Sequence, residues 1–178
     1  MDKIDTNISH KTLFVGDINT GKTARTVRIL QHFVDAGWAA NITVIDLAPD
    51  AHKNVGGKMP VPEKTALQYL TGPIVPPRLT ATNDDQAQEL AQANAHLAED
   101  LFQRFTVRPS KILFVNDASL YLQAGNIERF QAVLEIPTTA ILNAYYGESF
   151  PDSALTRREK QMVSALIRLC DHVIYTSN

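Results

Sequence analysis

Cysteine is nearly absent from this chain. Cys170 is the single one in 178 residues, which excludes an internal disulfide and fits a reducing, cytoplasmic setting. Charge of neither sign dominates. Lys and Arg number 17 against 19 Asp and Glu, a formal net charge of −2, so no overall field draws the protein to nucleic acid or to an anionic membrane. Apolar runs long enough to cross a bilayer are missing. Residues 1–10 are polar and lack the apolar centre of a signal peptide; they are expected to form a flexible N-terminus. No internal repeat and no low-complexity tract interrupts the chain.

What is present is an ordinary globular composition, 44% hydrophobic and 20% charged, on a length that suits one domain over 1–178. Strand-like and helix-like runs alternate, the pattern of a mainly parallel α/β sheet of about five strands with both faces covered. The strand runs are 11–15, 42–47, 111–115, 138–142 and 172–175. Helical spacing marks 23–36, 83–105 and 127–134, and a capping box, Thr156-Arg157-Arg158-Glu159, opens a last helix. Residues 48–82 hold six prolines and three glycines and read as a long irregular loop, which is expected to be either functional or disordered.

The first strand runs straight into Gly16-Asp17-Ile18-Asn19-Thr20-Gly21-Lys22-Thr23, a full Walker A phosphate-loop pattern. Gly16 and Gly21 permit the tight turn that brings backbone N–H groups onto phosphate oxygens. Lys22 can reach the β- and γ-phosphates, and the Thr23 hydroxyl can ligate magnesium. Ala24 continues into a helix whose N-terminal dipole favours an anion. Residues Gly16 to Ala24 are therefore the expected contacts to the polyphosphate.

Other residues at strand ends complete the candidate site, since ligands of open α/β sheets bind at the carboxyl edge. Asp117 follows Ile112-Leu113-Phe114-Val115-Asn116 and is either the second magnesium anchor, with Thr23, or a strand-end cap. Asp46 ends the second strand; it is either a general base, a magnesium-shell ligand or a water-orienting group, or else a turn-starting aspartate. Arg157 is the candidate for a cation over the γ-phosphate, with a solvated helix charge as its alternative. Asn143 sits either where a nucleotide base is read or in a plain turn.

The strand–loop–helix unit and the segment Leu113-Phe114-Val115-Asn116-Asp117 resemble the P-loop NTPase superfamily. The resemblance implies a three-layer αβα sandwich that binds ATP or GTP with Mg²⁺. Asp117 leads into Ala118-Ser119-Leu120 rather than the DxxG signature of Ras-like GTPases, and Asn143-Ala144-Tyr145-Tyr146 keeps only the asparagine of their guanine motif. Ala118 does not supply the glutamate that RecA-like and AAA-type ATPases place near the metal aspartate. What remains resembles the kinase-and-SIMIBI side. The resemblance implies a nucleoside triphosphate as ligand and hydrolysis or γ-phosphoryl transfer to a small-molecule acceptor as activity, or else a nucleotide-dependent switch whose 48–82 segment engages a protein partner.

Overall fold

The computed structural model describes residues 10–50 and 57–177. The expected flexible N-terminus lies outside these residues except for His10, which starts the first strand.

Six parallel strands form one sheet: β1 (His10–Gly16), β2 (Ile42–Asp46), β3 (Gln68–Thr71), β4 (Ile112–Asn116), β5 (Thr139–Tyr145) and β6 (His172–Thr176), in the order β3-β2-β4-β5-β1-β6. Among the helices are α1 (Lys22–Asp35), α2 (Pro77–Thr80), α3 (Asp84–Val107), α4 (Ser119–Leu122), α5 (Ile127–Leu134) and α6 (Ala154–Leu169). Strands β2 and β4 are buried along their whole length, as expected of near-continuous apolar runs covered on both faces. On one face Phe14, Ile42, Val44, Phe114 and Ile141 pack against Leu30 of α1. On the other, Leu13, Val15, Leu113 and Leu142 share a larger core with Phe102 and Phe105 of α3 and Val163 and Leu166 of α6. The layers are helix, sheet and helix.

Two expectations are corrected. The stretch 48–82 is not irregular throughout, because Gln68–Thr71 adds a sixth strand beside β2 and Pro77–Thr80 forms a helical turn with proline at its start. A four-residue edge strand needs little apolar sequence of its own, so its neighbouring prolines mask it. The capping box is displaced as well. Ser153, whose side chain accepts from Thr156 N at 3.1 Å, caps α6 one turn earlier. Glu159 then falls on the inner face of that helix and is buried.

The order places β5 between the strand that feeds the Walker A loop and the strand that leads to Asp117. All the candidate strand-end residues emerge at one carboxyl edge, as a parallel sheet requires.

Candidate functional site

The loop between β1 and α1 turns on two left-handed residues, Asn19 (φ 57°) and Gly21 (φ 80°). Gly21 is the residue before the helix and offers no side-chain cap, so α1 opens with N–H groups that its own sequence does not cover. Gly16 is needed for a different reason: a Cβ there would come within 2.4 Å of the Thr176 carbonyl oxygen and 2.9 Å of Thr20 Oγ1. Inside the loop the Lys22 ammonium donates to the Asp17 carbonyl and, at 3.5 Å, to Thr20 Oγ1. Burial lowers the Lys22 pKa, while the charges of Asp117 and Asp17 pull it the other way.

Asp17 points away from the loop's interior. Its carboxylate accepts from Ile18 N at 2.7 Å and from Glu148 N at 3.0 Å. A Cβ on Gly147 would lie 2.4 Å from Asp17 Cγ, so the turn after β5 fits the aspartate only because it carries glycine. Burial alone would raise the Asp17 pKa. The Ser149 hydroxyl and the N–H groups of Glu148, Ile18 and Ser149 outweigh it and hold the carboxyl below its usual value.

At the ends of β4 and β5 the side chains form a network. The Thr23 hydroxyl donates to Asn116 Oδ1 at 3.4 Å. Asn116 Oδ1 also accepts from Asn143 Nδ2 at 2.9 Å. Asn143 in turn donates to Thr26 Oγ1 at 3.1 Å and accepts from Asp117 N at 2.9 Å. Asn143 is therefore buried and occupied in joining α1, β4 and β5, which leaves its amide little capacity to read a base. Asp117 follows in a left-handed conformation (φ 55°) and accepts from the Ser119 hydroxyl at 2.5 Å. Burial pushes its pKa up, opposed by Ser119, Lys22 and Arg78.

Asp46 is fully buried. It accepts from Ala48 N (3.1 Å), Asn116 Nδ2 (2.8 Å), Tyr69 Oη (2.8 Å) and Met59 N (2.5 Å). Four donors fill the capacity of the carboxylate. It fastens Ala48, Met59 and Tyr69 of β3 to the sheet and does not line the cavity. Burial in the Asp46 network also pushes the Tyr69 hydroxyl upward, as do its hydrogen bond to Asp46 and that carboxylate's charge.

Arg157 lies apart from these residues, exposed and paired with Asp152. The arginine that does reach them is Arg78, on α2. Its NH1 and NH2 donate to Glu159 Oε1 at 2.7 Å and Oε2 at 3.1 Å, and its guanidinium lies 3.9 Å from the centroid of Phe150 and 5.2 Å from that of Tyr145. Glu159 accepts a further bond from Gln123 Nε2 at 2.6 Å. Burial pushes the Glu159 carboxyl up to about 6 even though Arg78 and Gln123 oppose it. In the sequence, Arg78 sits in the Pro/Gly-rich stretch with no periodicity to place it. The one available signal is the Pro76-Pro77 pair, which suits a helix start.

A cavity of about 340 Å³ joins these parts. Its lining comes from the loop from Ile18 to Ala24, from Asn116, Asp117 and Asn143 at the strand ends, and from α2 together with Ser119, Leu120, Gln123, Tyr145 and Phe150. Ala48, Pro49 and Gly57 close the rim. Among the described residues no three His, Cys, Asp or Glu side chains converge as a metal-binding group, and no helix is long and apolar enough to cross a membrane.

No protein-family model matches the chain, and no curated protein matches its sequence. Solved structures do match. The flagellar accessory protein FlaH from Methanocaldococcus jannaschii superposes with a TM-score of 0.55 over 97% of this chain and 74% of that one. The fold is P-loop NTPase-like, a parallel sheet between two helical layers. The two sequences are 10% identical, so the likeness speaks to the fold alone.

Proposed function

We propose that this chain binds ATP or GTP with Mg²⁺ in the Walker A loop, and hydrolyses the triphosphate or transfers its γ-phosphoryl group. The observation that carries this reading is Lys22. Its half-buried ammonium is turned into a loop of left-handed residues and makes no ion pair among the described residues, only hydrogen bonds to the Asp17 carbonyl and the Thr20 hydroxyl. A half-buried cation whose direct contacts are neutral oxygens, with Asp117 and Asp17 acting on it without a salt bridge, is suited to the closer counter-charge of a polyphosphate.

The Thr23 hydroxyl and the Asp117 carboxylate have the hard oxygen donors that Mg²⁺ takes, and a magnesium bound mainly by phosphates and waters needs no larger acidic cluster. Bound there, Mg²⁺ would offset charge on the β- and γ-oxygens. Lys22 and the loop N–H groups stabilise the same charge as it shifts toward the leaving diphosphate. Arg78, not Arg157, supplies the positive charge across the cavity, held in place by Glu159. Asp46 serves the scaffold. The test is isothermal titration with Mg·ATP and Mg·GTP, followed by phosphate release with and without candidate acceptors.

A second reading is a nucleotide-dependent switch. It is favoured by the lining of the cavity: Ala48, Pro49, Gly57 and Pro76 to Leu79 all come from the 48–82 segment. Protection of that segment from protease by a non-hydrolysable triphosphate supports the switch. Equal cleavage with and without nucleotide contradicts it.

A further inference from the structure

Asn116, the last residue of β4, is fully buried, and every hydrogen-bonding site of its amide is in use. Its nitrogen donates to Asp46 Oδ1 at 2.8 Å and to the Gly57 carbonyl at 3.4 Å. Its oxygen accepts from Asn143 Nδ2 at 2.9 Å and from the Thr23 hydroxyl at 3.4 Å. Two donors and two acceptor sites are all that an asparagine side chain has. Among the described residues the Thr23 hydroxyl bonds to nothing else.

The two ends of an amide have the same shape, so its partners decide which way it faces. Here they leave one choice. A carboxylate and a backbone carbonyl only accept, so Asp46 and Gly57 require the Asn116 nitrogen. On the other side, Asn143 spends its oxygen on Asp117 N and so turns its nitrogen to Asn116. Thr26 fixes Asn143 a second time, because its own proton goes to the Lys22 carbonyl at 3.0 Å and its oxygen must accept. A reversed Asn116 would set oxygen against oxygen at Asp46 and nitrogen against nitrogen at Asn143. Aspartate in its place would put a second carboxylate oxygen where Nδ2 now stands, 2.8 Å from Asp46 Oδ1, a buried like-charge contact. The charge is thus carried by Asp46 on β2, one neutral amide removed from the phosphate loop.

We propose that Asn116 is a positioning residue of the nucleotide site, fixed by Asp46 and Asn143 in the one orientation that takes the Thr23 proton. A threonine hydroxyl has one proton and two lone pairs. With the proton committed to Asn116, what Thr23 offers to the cavity that it lines is an acceptor. An oxygen acceptor suits a hard cation and opposes a phosphate oxygen. Thr23 therefore serves magnesium and not phosphate directly, and neighbouring strands set the polarity of that contact. The inference rests on the reading of the Walker A loop as a nucleotide site.

The test is isothermal titration of the full-length chain with ATP and GTP, each in Mg²⁺ and in EDTA; the ratio of the two affinities is the magnesium gain. A charge-assisted contact is worth roughly tenfold or more in affinity, and a gain of that size is expected in the intact protein. Thr23→Val, which keeps the shape and removes the hydroxyl, should lose about tenfold in Mg²⁺ and less than about threefold in EDTA. Asn116→Ala frees the Thr23 proton and should reduce the gain likewise. The exchange Asn116→Asp with Asp46→Asn keeps an acceptor toward Thr23 and moves the charge beside it, so the gain should equal or exceed that of the intact protein even where the thermal transition is lowered. If Asn116→Ala does not fold, Thr23→Val and the exchange decide. An equal loss in Mg²⁺ and EDTA for Thr23→Val marks a hydroxyl that donates to phosphate and overturns the inference. So does an unchanged gain in folded Asn116→Ala, a lost gain in the folded exchange, or no gain in the intact protein. Each of these leaves nucleotide binding standing, whereas no binding of either nucleotide under both conditions overturns the reading beneath.

Discussion

Arg78 and Glu159, 81 residues apart, are joined by two parallel hydrogen bonds of 2.7 and 3.1 Å beneath the ring of Phe150. Both side chains are largely withdrawn from solvent, at 12% and 2% exposure. The pair links α2, in the Pro/Gly-rich segment, to α6, and it sets a cation in the lining of the cavity.

Removing one partner leaves the other charged and buried. Glu159→Ala is expected to cost about 3–5 kcal/mol, the usual penalty for an orphaned buried charge, read as a lower urea midpoint. Glu159→Gln should cost less, because it keeps the shape and one acceptor. The pH dependence follows from burial, which raises the Glu159 carboxyl to about 6 from an ordinary 4.5. Between those values the folded state holds a proton that the unfolded chain has released. Glu159 therefore makes stability fall as pH rises from about 4.5 to 6. Urea midpoints measured across that window should lose this downward component in Glu159→Gln. An identical pH profile in the variant contradicts it.

Asp46 separates a scaffold role from a chemical one. Asp46→Ala strips the acceptor from Ala48 N, Met59 N, Tyr69 Oη and Asn116 Nδ2. With each unsatisfied buried donor costing about 1–3 kcal/mol, a loss of several kcal/mol in unfolding free energy is expected. Lost turnover with unchanged stability would instead return Asp46 to the chemistry.

Gly147 is tied to the loop through Asp17. In Gly147→Ala the new methyl meets Asp17 Cγ at 2.4 Å and its Cα at 2.8 Å, so Asp17 and the loop backbone must shift. Overpacking of this kind costs about 1–3 kcal/mol. The expected result is a lower melting temperature together with weaker nucleotide binding. Gly37→Ala is the control: its Cβ meets nothing within 4 Å, its φ of 84° costs about 1–2 kcal/mol, and nucleotide affinity should not change.

Much of the architecture was legible because it rests on short-range signals. Apolar runs gave five of the strands, and helical spacing gave α1, α3 and α5. The Walker A pattern is readable as a motif because its glycines, lysine and threonine stand at fixed spacing in one short segment, whereas the contacts of Gly16 with Thr176 and of Asp17 with Gly147 are not. Long-range partners were not readable. Whether the carboxylate of Asp46 faces a ligand or four protein donors depends on Met59, Tyr69 and Asn116, which the fold alone brings together. Arg78 and Arg157 look alike as letters. Only the inner face of α6, presenting Glu159, makes one a wall of the cavity and leaves the other on the surface. The strand Gln68–Thr71 was hidden by its shortness and by flanking prolines.

The central claim is that Lys22 and the loop around it hold a triphosphate, and isothermal titration of the intact protein and of Lys22→Ala with Mg·ATP and Mg·GTP tests it most directly. The expected result is saturable binding of at least one nucleotide to the intact protein. Affinity should fall by about a hundredfold in the variant, the equivalent of roughly 3 kcal/mol for a charge-assisted contact, with its melting temperature preserved. Binding of equal strength in both proteins, or no binding of either nucleotide to the intact chain, would contradict it.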